Sequence, residues 1–296
     1  MTVKTVGIQS PGDMGHAVGK VLGANGLRVI SCLEDRSTRT RALAARADIE
    51  EVSSYQALVT QADIVLSILV PAQAKTAAGR VAQAVSETGA AVVYADCNAI
   101  APQTTREIGA LISAAGGHYV DASIIGGPPK GNGGTRFYAS GPDVSAFQSL
   151  AQYGLNVVVL DHNVGSASAI KMCYAALTKG TTALCTELLV AAEALGVSEA
   201  LRNEFQNSQS VRYERMARGL PGMPTKSRRF VGEMEQISQA FQDVGLTPKI
   251  LAGAADVYRF VGGTQLADRT PEDPDPPPPL AEMISILADH LPDGSE

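Results

Sequence analysis

The chain has 296 residues, enough for one large or two ordinary domains, and 45% of them are hydrophobic, which marks it as globular rather than disordered. A formal net charge of −6 speaks against a nucleic-acid or anionic-membrane surface, and no apolar run is long enough to span a bilayer. The four cysteines lack metal-ligand spacing and read as small buried hydrophobes in a reducing compartment, so no structural metal is expected; with no leader segment before the first strand, a cytoplasmic location is expected.

Val3 to Gln9 has the β-branched character of a short buried strand. Ser10-Pro11-Gly12-Asp13-Met14-Gly15 follows as a tight turn, after which Val18, Val21 and Leu22 recur at helical spacing. A strand, a glycine turn and a helix start gather backbone N–H groups and the positive helix end at one spot, which suits a diphosphate. The turn departs from the G-x-G-x-x-G dinucleotide fingerprint, because Ser10 stands at the first glycine position while Gly12 and Gly15 keep the other two. All six turn residues are candidate cofactor contacts. The helix is expected over 14–25, stopping at Gly26.

A second strand is expected over 27–33, followed by Glu34-Asp35-Arg36-Ser37, about twenty residues past the turn, where a dinucleotide fold reads the adenosine ribose. An acid there suits the 2′-hydroxyl of NAD, whereas Arg36 beside Ser37 suits the 2′-phosphate of NADP; NADP is the preferred reading and NAD the alternative. The near-continuous apolar run 62–69 reads as a strand of a doubly covered parallel sheet, ending at Leu69-Val70-Pro71. The next strand, 90–95, ends at Asp96-Cys97-Asn98. Both ends fall on the carboxyl edge where open α/β sheets bind ligands, and Asn98 either contacts a cofactor ribose or amide or caps the helix starting near Pro102. A strand from His118 to Ser123 leads into Ile124-Ile125-Gly126-Gly127, whose glycines let backbone amides approach an anion. Strands over 135–140 and 156–160 complete a doubly wound α/β domain ending near residue 162.

From Gly165 to Gly196 there is no strand signal and no proline, so one helix of roughly 45 Å is expected, joining a first domain over 1–162 to an all-α domain over 163–296. Lys171, Tyr174, Ala175 and Thr178 share one of its faces, while Ile170, Cys173, Leu177, Leu184 and Leu188 are expected to pack. Ser198 reads as the cap of a further helix with a Leu201, Phe205 and Val211 stripe. Leu220 to Pro224 breaks the pattern; helices over 226–244 and 248–261 follow, each stopped by glycine. Arg212, Arg215, Arg218, Lys226, Arg228 and Arg229 form either a solvated surface or the wall of an anion pocket. A proline-rich acidic linker, 268–279, precedes a short helix with Leu280, Met283, Ile284, Leu287 and Leu291 on one face, which docks on its own subunit or on a neighbour.

Together the Ser10–Gly15 turn, Val70-Pro71, Asp96-Cys97-Asn98, the run Asp121-Ala122-Ser123-Ile124-Ile125-Gly126-Gly127 and Gly165-Ser166-Ala167-Ser168-Ala169-Ile170-Lys171 resemble the β-hydroxyacid dehydrogenase superfamily of 6-phosphogluconate and 3-hydroxyisobutyrate dehydrogenases. The resemblance covers nearly the whole chain. Residues 171–180 and 229–235 are similar to a subgroup known only as NAD(P)-binding and 6-phosphogluconate dehydrogenase-like. The resemblance implies a Rossmann-type sheet followed by a helical domain, a nicotinamide cofactor, a homodimer through the helical domain, and hydride transfer to or from a small hydroxy acid. It assigns Lys171 as catalytic acid/base and places a carboxylate substrate against Ser123, Gly126 and Gly127, with Tyr174, Ala175 and Thr178 nearby. Two positions depart from the family: Ile125 replaces the serine before Gly-Gly, and Ala175 replaces the asparagine four residues after the lysine. Tyr174, Thr178 and Lys179 are candidate replacements. An imine- or ketone-reducing relative, or a non-catalytic NADP-binding sensor, is the alternative reading.

Overall fold

The computed structural model describes residues 2–130, 134–270, 273 and 275–292. In chain order the elements are β1 (Thr5–Gln9), α1 (Asp13–Ala24), β2 (Arg28–Cys32), α2 (Thr38–Arg46), β3 (Glu50–Val52), α3 (Tyr55–Gln61), β4 (Ile64–Ser67), α4 (Ala74–Thr88), β5 (Val93–Asp96), α5 (Pro102–Ala114), β6 (His118–Ile125), β7 (Arg136–Ser140), α6 (Ser145–Ser149) and β8 (Asn156–Val159). The helices α7 (Ser166–Ala194), α8 (Ser198–Ser208), α9 (Ser210–Gly219), α10 (Pro224–Asp243), α11 (Lys249–Gly262) and α12 (Leu280–Ala288) follow. Two compact units emerge, Met1–Cys173 and Tyr174–Glu296. The boundary expected at residue 162 thus moves into α7, because the first turns of that helix are hydrogen-bonded to the sheet.

The first unit is an eight-stranded sheet in the order β3-β2-β1-β4-β5-β6-β7-β8. All neighbours are parallel except β6 and β7, which run antiparallel with Asp121 opposite Ser140. Strand β1 pairs with both β2 and β4, so the order reverses there and opens a crevice beyond the carboxyl ends of β1 and β4. The apolar runs become buried strands with helices on both faces: Val6, Ile8, Leu22 and Phe147 pack on one side, and Ile30, Val65, Tyr94 and Ile108 on the other. Strand β3 carries no apolar run; it is a charged edge, pinned where the Arg28 guanidinium donates from Nε to Glu50 at 2.8 Å.

In the second unit, α10 and α11 pair along their length and bury Met234, Ile237, Ala255, Tyr258 and Val261. The face that α7 buries there is not the leucine face expected. Ala175, Ala183, Thr186 and Val190 are buried, whereas Leu177 and Leu184 are 70% and 60% exposed and Cys173 is also exposed. Small side chains recurring at three- and four-residue spacing let neighbouring helices approach closely, and the leucines are left on the outer side. Ser198 does not cap α8: it is the first residue of the helix, and its hydroxyl donates to Glu193. The stripe expected on α8 and α9 is half-buried at Leu201 and Phe205, and Val211 is 61% exposed. Helix α12 docks on its own chain, burying Met283, Ile284 and Leu287 against α9 and the turn at 220–222. Among the described residues no helix is long and apolar enough to cross a membrane.

Candidate active site

The turn after β1 keeps the shape of a glycine fingerprint although its first glycine is missing. Ser10 adopts φ +68°, the left-handed conformation that a glycine supplies without strain. The next two glycines have separate reasons. A Cβ on Gly15 would lie 2.7 Å from the Ser10 carbonyl oxygen, so helix and turn could not close; a Cβ on Gly12 would meet nothing within 4 Å, leaving the backbone open to a ligand. Met14 packs into the core, and Pro11 is buried. Asp13 begins α1 with a carboxylate at an anion-seeking helix end, and Arg39 of α2 answers it with an ion pair of 2.5 Å.

At the end of β2, Arg36 donates to the Tyr55 hydroxyl at 3.4 Å, while its buried Nε has no hydrogen-bond partner among the described residues. Ser37 is engaged differently from the expectation. It is the N-cap of α2, its Oγ accepting from the Thr40 N–H at 3.2 Å. Arg80 of α4 lies 5.8 Å from the Tyr55 ring centre and 3.5 Å from Asp35, and these residues with Glu34, Gln56 and Gln83 line a pocket of about 250 Å³. Tyr55 and Arg80 come from separate helices, α3 and α4, so no local motif joins them to Arg36.

The ends of β4 and β5 are tied together by Asn98. Its Oδ1 accepts from the Leu69 N–H, and its Nδ2 donates to Ser67 Oγ at 2.9 Å. It is 2% exposed and does not cap the next helix, whose N-cap is Ala101. Asn98 therefore fixes where Leu69, Val70 and Pro71 leave the sheet. Val70 is exposed, and Pro71 opens a short 3₁₀ turn.

At the other side of the carboxyl edge, β6 ends in exposed Gly126 and Gly127, with Gly126 at φ +128°. Lys171, on the second turn of α7, donates from Nζ to the Ile124 carbonyl at 2.6 Å. Ser123 is fully buried, and its hydroxyl has no partner among the described residues. Two residues earlier, on the same face of the strand, Asp121 receives the amino end of α7: its Oδ2 accepts from Gly165 N at 2.8 Å, Ala167 N at 3.0 Å and Ser168 N at 3.2 Å, and its Oδ1 from Ser168 Oγ at 2.7 Å. Ser140 Oγ adds a bond at 3.0 Å. Asp96 stands beside Asp121 in the parallel register of β5 and β6. Burial pushes the Asp96 carboxyl up to about 7, against the backbone N–H of Asn98 and helped by the Asp121 charge. Burial raises Asp121 as well, opposed by the Ser168, Gly165 and Ser140 donors. With so many donors around Asp121, the geometry suits a carboxylate there and a proton on Asp96.

The candidates farther along α7 separate. Tyr174 is 45% exposed, Ala175 lies in the buried stripe and is 1% exposed, and the Thr178 hydroxyl donates to its own helix at the Tyr174 carbonyl. Ala175 thus serves packing rather than a free substrate wall. Lys179 is held inside the second unit by Glu233 at 2.5 Å and lies 5.0 Å from the Phe230 ring centre, so it does not replace a substrate contact. The basic cluster also divides. Arg228 pairs with Asp268, Arg229 with Glu233, and Arg218 with Glu214, while Arg212 and Arg215 line a groove of about 870 Å³ with Leu177, Leu184 and Val211.

Residues 5–160 match the family described as the NAD binding domain of 6-phosphogluconate dehydrogenase, and residues 192–261 match a domain of unknown function, DUF1932. The structure of the conserved protein MTH1747, of unknown function and described as similar to 3-hydroxyacid dehydrogenases, is 30% identical over 87% of this chain and 97% of its own, with a TM-score of 0.64. The chain belongs to the β-hydroxyacid dehydrogenase superfamily. Within this superfamily the fold extends to the 3-hydroxyisobutyrate dehydrogenase of Mycobacterium tuberculosis, solved with L-serine (19% identity, 97% and 99% coverage, TM-score 0.67). It also extends to an imine reductase of Streptomyces aurantiacus (16% identity, 86% and 93% coverage, TM-score 0.55). A β-hydroxyacid dehydrogenase of this kind carries a nicotinamide-dinucleotide domain in its first half. The turn fits that group here: a backbone open at Gly12 and a helix start behind it, with a buried Arg36 Nε beyond β2 that has no hydrogen-bond partner among the described residues.

Proposed function

We propose that the protein is an NADP-dependent oxidoreductase of small hydroxy acids in which Lys171 is the general acid/base. The observation that carries this reading is the 2.6 Å bond from Lys171 Nζ to the Ile124 carbonyl. It fixes an amine two residues before the open Gly126-Gly127 backbone, at the carboxyl edge of the sheet that bears the dinucleotide turn. Residues Ser10 to Gly15 would hold the diphosphate, Leu69 to Pro71 the adjoining part of the cofactor, and Arg36 the 2′-phosphate. When bound, the cofactor supplies the hydride-accepting or hydride-donating carbon.

The chain does the rest. As a carbinol is oxidised its hydroxyl proton must leave, and Lys171 Nζ takes it; in the reverse direction the ammonium returns it to the forming alkoxide. The exposed amides of Gly126 and Gly127 hold the substrate carboxylate, while Ser123, expected there too, is fully buried and stands behind them. The exposed Leu177 and Leu184, seven residues apart on α7, line the surface on which a second copy of the chain would dock.

The test is a panel of glycerate, 3-hydroxybutyrate, 3-hydroxyisobutyrate and 6-phosphogluconate with NADP or NAD, followed at the nicotinamide absorbance, together with a Lys171→Met variant. Turnover of at least one acid, falling on the order of 10²-fold or more in the variant with cofactor binding kept, is expected. Turnover of imines alone, or tight NADPH binding with no turnover, would replace this reading by the imine reductase or the sensor.

A further inference from the structure

Helix α7 begins without a local cap. Its N-cap position is Gly165, at φ +116°, which has no side chain to satisfy the first-turn N–H groups. The Ser166 N–H bonds to the nearby Asn163 carbonyl, but those of Gly165, Ala167 and Ser168 turn to Asp121, 44 to 47 residues earlier in the chain. Asp121 is 0% exposed, and its two oxygens take the N–H of the N-cap residue Gly165 and two backbone N–H groups of α7, together with the Ser168 and Ser140 hydroxyls. Three residues after Ser168 stands Lys171, and three residues after Asp121 stands Ile124, whose carbonyl receives the lysine. One strand therefore grips one helix twice, by a carboxylate at the helix start and by a carbonyl at the amine one turn on.

We infer that Asp121 is the positioning residue of the site: its carboxylate sets the axial position of the first turn of α7 and thereby aims Lys171 Nζ at the end of β6. Asp121 acts through the helix, whose first N–H groups its carboxylate accepts. A carboxylate suits this task better than a neutral cap, because its charge also meets the positive end of a 29-residue helix. The inference rests on the reading of Lys171 as acid/base and adds to it a second residue whose removal acts only through the first.

The experiment is a double-mutant cycle with Asp121→Asn and Lys171→Met, measured as turnover of whichever acid of the panel is oxidised, with Ser168→Ala as a milder variant that spares the carboxylate. Asp121→Asn puts an amide N–H among groups that are themselves donors. Turnover is expected to fall ten- to a hundredfold with KM and NADPH affinity changed less than threefold. In the Lys171→Met background the same change is expected to cost less than twofold. Ser168→Ala should move turnover in the same direction, by about two- to fivefold. Hydrogen exchange of the peptide covering residues 164–172 gives a readout apart from activity and should quicken in Asp121→Asn but not in Lys171→Met. An equal loss in both lysine backgrounds, or unchanged exchange, overturns the positioning role while leaving Lys171 in place. A Lys171→Met variant with full turnover overturns the reading of Lys171 and this inference with it. Should Asp121→Asn fail to fold, the same cycle run with Ser168→Ala decides the matter by the same two criteria.

Discussion

The carbonyl oxygen of Ser10 and the Cα hydrogen face of Gly15 press together so closely that a Cβ on Gly15 would stand 2.7 Å from that oxygen. The contact is backbone against backbone, so no rotamer change relieves it. Gly15→Ala should destabilise the first unit by about 1–3 kcal/mol and weaken NADPH binding at least tenfold, as read from urea melts and calorimetric titration. Ser10→Gly should do the opposite. A non-glycine residue in the left-handed region costs roughly 1–2 kcal/mol, partly offset by the unfolded-state freedom that glycine gains. The expected result is a Tm equal to or above that of the parent and unimpaired NADPH affinity. A clear loss in Ser10→Gly would mean that the serine hydroxyl, not the turn shape, matters.

Arg36 offers a direct test of cofactor choice. Its Nε is buried and unpartnered among the described residues, and a hydrogen bond to a charged group is worth about 1.5–3 kcal/mol. Arg36→Ala should therefore lower NADP affinity by ten- to a hundredfold and leave NAD affinity within a factor of two. Equal losses for the two cofactors would assign Arg36 to holding the Tyr55 side of the pocket instead.

Asp96 makes stability depend on pH. Its folded-state pKa, about 7, lies above the ordinary 3.8, so the folded chain binds this proton more tightly than the unfolded chain. The stability from that proton is complete below pH ~4 and is lost as the pH rises through about 7, the value set by burial. Asp96→Asn keeps an acceptor for the Asn98 N–H and removes the titration. Its Tm advantage over the parent should be small at pH 4, grow up to pH 7 and stay constant above. A pH-independent difference would show that Asp96 stays ionised in the folded chain.

Leu177 and Leu184 test self-association. Glutamate at either position adds charge to an exposed side chain and disturbs no buried contact of the chain itself. A dimeric parent should become monomeric in Leu177→Glu with an unchanged far-ultraviolet spectrum, as measured by sedimentation. Unaltered mass would remove this face from the interface.

The sheet, the glycine turn, the long helix and the superfamily are legible in the sequence alone. Those depend on local patterns: apolar runs for strands buried on both faces, Gly12 and Gly15 at fixed spacing, and an unbroken helical stretch after Gly165. Which polar groups answer one another emerges only once the chain is folded. Ser37 and Asn98 carry donor and acceptor atoms suited to a cofactor, yet a helix N-terminus and the Leu69 backbone claim them. The leucines of α7 read as a packing stripe, but a neighbouring stripe of smaller residues, Ala175 and Ala183 among them, lets the helices come closer. Nothing local marks the task of Asp121, since its partners at the start of α7 lie 44 to 47 positions away along the chain. Periodicity records which face of an element is apolar; which partner a buried polar atom meets depends on how distant segments are brought together, and that is fixed only by the folded chain.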